Sequence, residues 1–81
     1  MMATRANLAE KKRFLSLVRQ MRLDAGLRQE DLARKLGEPQ SFVSRYESGD
    51  RRLDVLELRQ ICEVLGVSLA DFIKRLDGDS D

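Results

Sequence analysis

The sequence predicts an all-α fold, a compact bundle of five helices in a single domain. Three observations carry this expectation. Apolar residues recur at i, i+3 and i+4, and no stretch shows the two-residue alternation of a half-buried strand. The five glycines, Gly26, Gly37, Gly49, Gly66 and Gly78, each follow the last residue of such a pattern, where a left-handed helix end favours glycine. Start signals agree with these stops. Asn7 with Glu10, Asp54 with Glu57 and Ser68 with Asp71 have the spacing of a capping box, and a side-chain cap is typically worth about 1 kcal/mol.

The first helix is expected from Leu8 to Ala25, with Phe14, Leu15, Val18 and Met21 on its apolar stripe, Leu23 at the margin, and Lys11-Lys12-Arg13 and Arg19 outside it. The second opens at Gln29. Leu32 and Leu36 form its stripe, and the small Ala33 beside them lets another helix pass closely. Arg28 stands where a side-chain cap is expected, which implies a frayed start or an arginine diverted to another task.

Gly37 then makes the turn, and Pro39 disfavours helical geometry at Glu38 while suiting the start of a new helix. On that third helix, Gln40 to Ser48, Val43 and Tyr46 face inward. Gln40, Ser41, Ser44, Arg45 and Ser48 form an opposite face of donors and acceptors. A short helix with such a face, pinned by a partner helix, can enter a DNA major groove. The fourth helix, Val55 to Leu65, carries Val55, Leu58, Ile61, Cys62 and Leu65 at helical spacing, and the fifth carries Leu69, Phe72, Ile73 and Leu76. The domain is expected over 7–77, with disordered tails at 1–6 and 78–81.

From Gln29 to Ser48 the chain resembles the helix-turn-helix of the lambdoid repressor and Cro family, also called the XRE family. Gln29 opens the first helix of the motif, Ala33 takes the small packing position, Gly37 the turn, and Gln40 opens the recognition helix, with Val43 and Tyr46 inward. The likeness extends over about residues 15 to 73, through Arg22, Gly26-Leu27, Glu47, Gly49 and the run LGVSLADF. It departs at Arg28, where the family usually has Ser or Thr.

The resemblance implies a lambda-repressor-like bundle whose second and third helices bind duplex DNA. It implies that Gln29 bonds a phosphate and buttresses its recognition-helix counterpart. It implies that Arg22 and Glu47 form a partly buried ion pair, so that Arg22 is structural and not a DNA contact. The loop holding Arg51 and Arg52 matches the family's phosphate-contacting loop, and family members commonly bind as two-fold dimers.

The chemistry of the polar face points the same way. The Gln40 amide offers a donor beside an acceptor, matching adenine N6 and N7, at the end of the helix that points into the groove. Arg45 can bond guanine O6 and N7 with two parallel donors; a phosphate contact or a surface ion pair is its alternative. Ser41 shares this base-reading face. Ser44 is short and suits the DNA backbone, as do Arg51 and Arg52, while Arg28 could clamp the strand across the groove. Phe42 either touches a thymine methyl or packs over the helix pair, and its core-facing neighbours favour packing.

Composition excludes other classes. Net charge is +1, but residues 1–53 carry 12 Lys/Arg against 7 Asp/Glu and residues 54–81 carry 3 against 7, a basic half and an acidic half. One cysteine, Cys62, and no histidine permit neither an internal disulfide nor a zinc site, and Cys62 is expected in the core of a protein from a reducing cytoplasm. No signal-peptide pattern or membrane-length apolar window is present. No nucleophile stands beside a plausible base, so no enzyme activity, metal or cofactor is expected.

The expected function is sequence-specific binding of double-stranded DNA at a palindromic operator by a small transcriptional regulator, a repressor. No separate effector domain fits in the 81 residues. Dimer contacts are expected from the acidic half, on Leu69, Phe72, Ile73 and Leu76 with Leu53 and Val55 beside them; the competing reading packs those four into the monomer core. Two other functions share the fold: an antitoxin-like module binding its own promoter and a protein partner, and a protein-interaction adaptor, against which Arg45, Arg51 and Arg52 argue.

Overall fold

The computed structural model describes residues Leu8–Gly78. Five helices follow in order: α1 (Leu8–Asp24), α2 (Gln29–Leu36), α3 (Gln40–Ser48), α4 (Val55–Leu65) and α5 (Leu69–Leu76), with no strand among the described residues. The Asn7 cap and the expected tails, apart from Gly78, lie outside these residues. No helix among the described residues is long and apolar enough to cross a membrane.

Helix α2 lies most extensively against α3. Helix α1 supports α3 from behind and also meets α5, while α4 sits between α2 and α5. The core contains Val18 and Met21 from α1, Leu32 and Ala33 from α2, Val43 and Tyr46 from α3, Leu58, Ile61 and Cys62 from α4, and Phe72 from α5. Phe14 meets Phe72 edge to face, with ring centroids 5.8 Å apart, and so closes α1 onto α5.

The caps explain where the helices begin and end. Asp54 and Glu57 form a full capping box: the Glu57 N–H donates to Asp54 Oδ1 (2.8 Å) and the Asp54 N–H donates to Glu57 Oε1 (3.0 Å). Ser68 Oγ accepts from the Asp71 N–H at 3.0 Å. At the turn between α2 and α3, Gly37 takes φ +71°, and the Glu38 N–H reaches back to the Ala33 carbonyl at 2.9 Å. Gly49 closes α3 at φ +91°, and a Cβ there would stand 3.1 Å from Leu15 Cδ1. Glycine at this position therefore serves both the turn and the approach of α1 to α3.

Several expected faces are corrected. Leu23 is 44% exposed, because two residues beyond Met21 is a rotation of about 200° on a helix. Half-buried Leu17 packs against the core instead. Val55 is 61% exposed although its angular phase fits the α4 stripe; phase does not say how far along its axis a helix is covered. Arg13, expected on the solvated side of α1, donates from Nε to the Leu76 carbonyl (3.0 Å) and from Nη2 to the Arg75 carbonyl, capping the end of α5. Phe72 is 1% exposed and belongs to the monomer core, so it is not available to a second copy, while Leu69 and Leu76 are half-buried against the same core.

Tyr46 carries a testable consequence. Its ring is 1% exposed, and its hydroxyl has no hydrogen-bond partner among the described residues. Burial, first, and then the Glu47 charge push its phenol well above the usual range, so it stays neutral. An unpaired buried hydroxyl carries a desolvation penalty of about 1–3 kcal/mol. Tyr46→Phe keeps the ring and removes that penalty. Its urea midpoint is expected to equal or exceed that of the parent; a clear drop would mean that the hydroxyl has a partner.

Candidate nucleic-acid interface

Helix α3 presents its polar face outward, as the apolar spacing of Val43 and Tyr46 requires. Gln40, Ser41, Arg45 and Ser48 are exposed and Ser44 is half-buried. Pro39 occupies the N-cap in extended geometry without a side-chain cap, so Gln40 and Ser41 begin the helix with their backbone N–H groups unblocked by a capping side chain. Ser44 Oγ donates to the Ser41 carbonyl (3.3 Å), and Ser48 Oγ donates to the Arg45 carbonyl (3.0 Å). A phosphate only accepts, so Ser44 must turn its one hydroxyl proton outward to bond one.

The face is held from beneath by a charged cluster. Arg22 Nε donates to Glu47 Oε2 (2.7 Å) and Arg22 Nη2 to Glu47 Oε1 (3.0 Å). The third nitrogen, Nη1, donates to the Leu27 carbonyl at 2.8 Å. The two side chains are 7% and 4% exposed, so this is a buried bidentate pair joining α1 to the end of α3. The Glu47 hydrogen bond raises the Arg22 pKa further, against the opposing effect of burial. Arg22 therefore does not reach the outer surface and serves the fold.

Gln29 joins the same cluster, with Nε2 donating to Glu47 Oε1 at 3.1 Å. The Gln29 side chain is thereby tied to the buried carboxylate at the end of α3. The amide nitrogen has two protons, so one remains for a phosphate.

Arg28 has a local task. Its backbone N–H donates to Asp31 Oδ2 (2.9 Å), and its side-chain Nε donates to the same oxygen (3.2 Å). Asp31 supplies the carboxylate arm of a cap that arginine cannot complete, and the Arg28 hydrogen bonds hold that carboxyl below the usual range. Glu30 lies 3.8 Å from Arg28 Nη2. The side chain remains 73% exposed at the rim of the motif.

The loop after α3 separates its two arginines. Arg52 is exposed and, like Arg45, makes no ion pair or side-chain hydrogen bond among the described residues. Arg51 is engaged on three sides: a bidentate pair with Glu57, a bond to the Arg52 carbonyl, and a guanidinium 4.7 Å above the Phe42 ring. Phe42 packs edge to face on Tyr46 at 5.5 Å, in keeping with its expected packing role.

The helix pair, the outward amide and guanidinium, and the buried support define a helix-turn-helix DNA-binding protein. Residues 18–72 match the helix-turn-helix family HTH_3, and the chain belongs to the XRE-type helix-turn-helix family. It is similar to the structure of an XRE-family like protein from Pseudomonas syringae pv. tomato str. DC3000, with 37% identity over 90% of this chain and 89% of that one and a TM-score of 0.81. The crystal structure of the clp gene regulator ClgR from C. glutamicum shares the fold at TM-score 0.75 and 23% identity, over 98% of this chain and 100% of that one. No curated protein matches the chain.

Proposed function

We propose that this chain is a cytoplasmic transcriptional repressor that binds a specific palindromic site on double-stranded DNA as a two-fold dimer. One observation carries the reading: Gln40, Ser41 and Arg45 stand exposed on one face of a short helix whose other face is core. Gln40, Ser41 and Arg45 then read base edges. Arg28, Gln29, Ser44 and Arg52 contact the backbone on either side and position the helix without reading sequence. Repression follows from occupancy of the site.

A single recognition helix spans about half a turn of DNA, and a second copy supplies another about 34 Å away on the same face. The acidic half offers exposed apolar residues for this contact: Val55 and Leu56 at the start of α4 and Ile73 on α5, with Leu69 and Leu76 partly available. Selection from random duplexes is expected to return an inverted repeat with half-site centres about 10–10.5 bp apart. Inserting five base pairs between the halves turns one site to the opposite face and is expected to abolish cooperative binding. Retention of full affinity after the insertion would overturn the dimer, and failure to enrich any site would overturn sequence-specific binding.

A further inference from the structure

We propose that Arg51 is a positioning residue for DNA binding, which acts by holding the loop after the recognition helix and presenting Arg52 to the phosphate. The inference rests on the DNA-binding reading above. Arg51 Nη2 donates to Glu57 Oε2 at 2.8 Å, and Nη1 donates to Glu57 Oε1 and to the Arg52 carbonyl, each at 3.1 Å. The carbon of the same guanidinium lies 4.7 Å from the Phe42 ring centroid. One side chain thus touches α3, the loop and the first turn of α4.

The geometry separates two tasks that two adjacent arginines share on paper. A phosphate approaching Arg51 has to compete with a carboxylate already bonded through both its oxygens, a planar match that arginine makes better than lysine. Glu57 is itself fixed, because Oε1 also accepts the Asp54 N–H at 3.0 Å. The pair is electrically neutral as a unit, so it displaces few counterions from DNA. Arg52 carries an uncompensated charge, and its carbonyl is held by Arg51. Arg51 fixes the backbone from which the Arg52 side chain leaves.

The test compares the salt dependence of binding to the selected duplex between a charge-matched double variant and a variant that loses one charge. Arg51→Met with Glu57→Gln removes both charges together; glutamine can still accept from the Asp54 N–H, and methionine can still cover Phe42. This double variant is expected to lose affinity several-fold while keeping the parent slope of log affinity against log salt. Arg52→Ala is expected to make that negative slope shallower by about 0.9, the loss of one phosphate contact. A slope shallower by about 0.9 in the double variant would make Arg51 a phosphate contact and overturn the proposal, and parent affinity with parent slope would also overturn it. Should the double variant fail to fold, Arg51→Lys keeps the charge but weakens the forked pair and the stack. Reduced affinity at parent slope then supports positioning, and parent affinity overturns it. If the parent protein binds no duplex with salt-dependent affinity, the DNA-binding reading itself fails, an outcome separate from any slope difference among variants.

Discussion

Arg22→Ala is expected to destabilise the domain by about 3–5 kcal/mol, the typical consequence of removing one partner from a buried ion pair. The arginine closes three bonds at once, two to Glu47 and one to the Leu27 carbonyl. Without it, a carboxylate whose side chain is 4% exposed keeps the Gln29 amide as its one side-chain donor among the described residues. The Leu27 carbonyl loses its side-chain donor at the turn between α1 and α2. Small domains have roughly 5–15 kcal/mol of total stability, so this one change removes a large share. Urea denaturation measures it. An unchanged midpoint would show that the pair contributes nothing to the folded state. Replacing both partners with apolar residues of similar volume is expected to recover much of the loss, because it leaves no unpaired charge inside.

Gln40→Ala is expected to weaken specific DNA binding by about 1–3 kcal/mol, which is the discrimination typical of one bidentate side-chain–base contact. Gln40 is exposed at the first turn of α3, and Pro39 rather than Gln40 sets the helix start. Alanine is a good helix former, so the fold is expected to persist with a urea midpoint close to the parent. The loss is therefore expected in binding alone, concentrated at one base pair of each half-site, with preferences elsewhere retained. Base preference measured across a library of single-substitution sites decides this. An identical preference profile for parent and variant would remove Gln40 from the base-reading set.

These two predictions differ in how far each was legible along the chain. Gln40 stands out from local chemistry: an amide just after Gly37 and Pro39, on the face opposite Val43 and Tyr46. The Arg22–Glu47 pair spans 25 positions, and only likeness to a known family pointed to it. Arg51 and Arg52 are adjacent and identical in type, yet one is engaged with Glu57 and Phe42 and the other is free of ion pairs among the described residues. Arg13 caps a helix more than sixty positions away, with no pattern along the chain to announce it.

The helices, their glycine and capping-box ends, the turn at Gly37 and Pro39, and the polar face of the recognition helix are all written locally along the chain. These follow from periodicity and caps, which act over three or four residues, within one turn of backbone. That Phe72 is core, that Val55 and Leu23 are exposed, and that Arg51 pairs with Glu57 depend on how the helices pack together. The reason is geometric. Helical phase specifies the direction in which a side chain leaves its helix, but not whether another part of the chain is there to meet it. An apolar stripe reads the same whether its cover comes from the same chain or from a second copy, and a guanidinium reads the same until a carboxylate is placed against it.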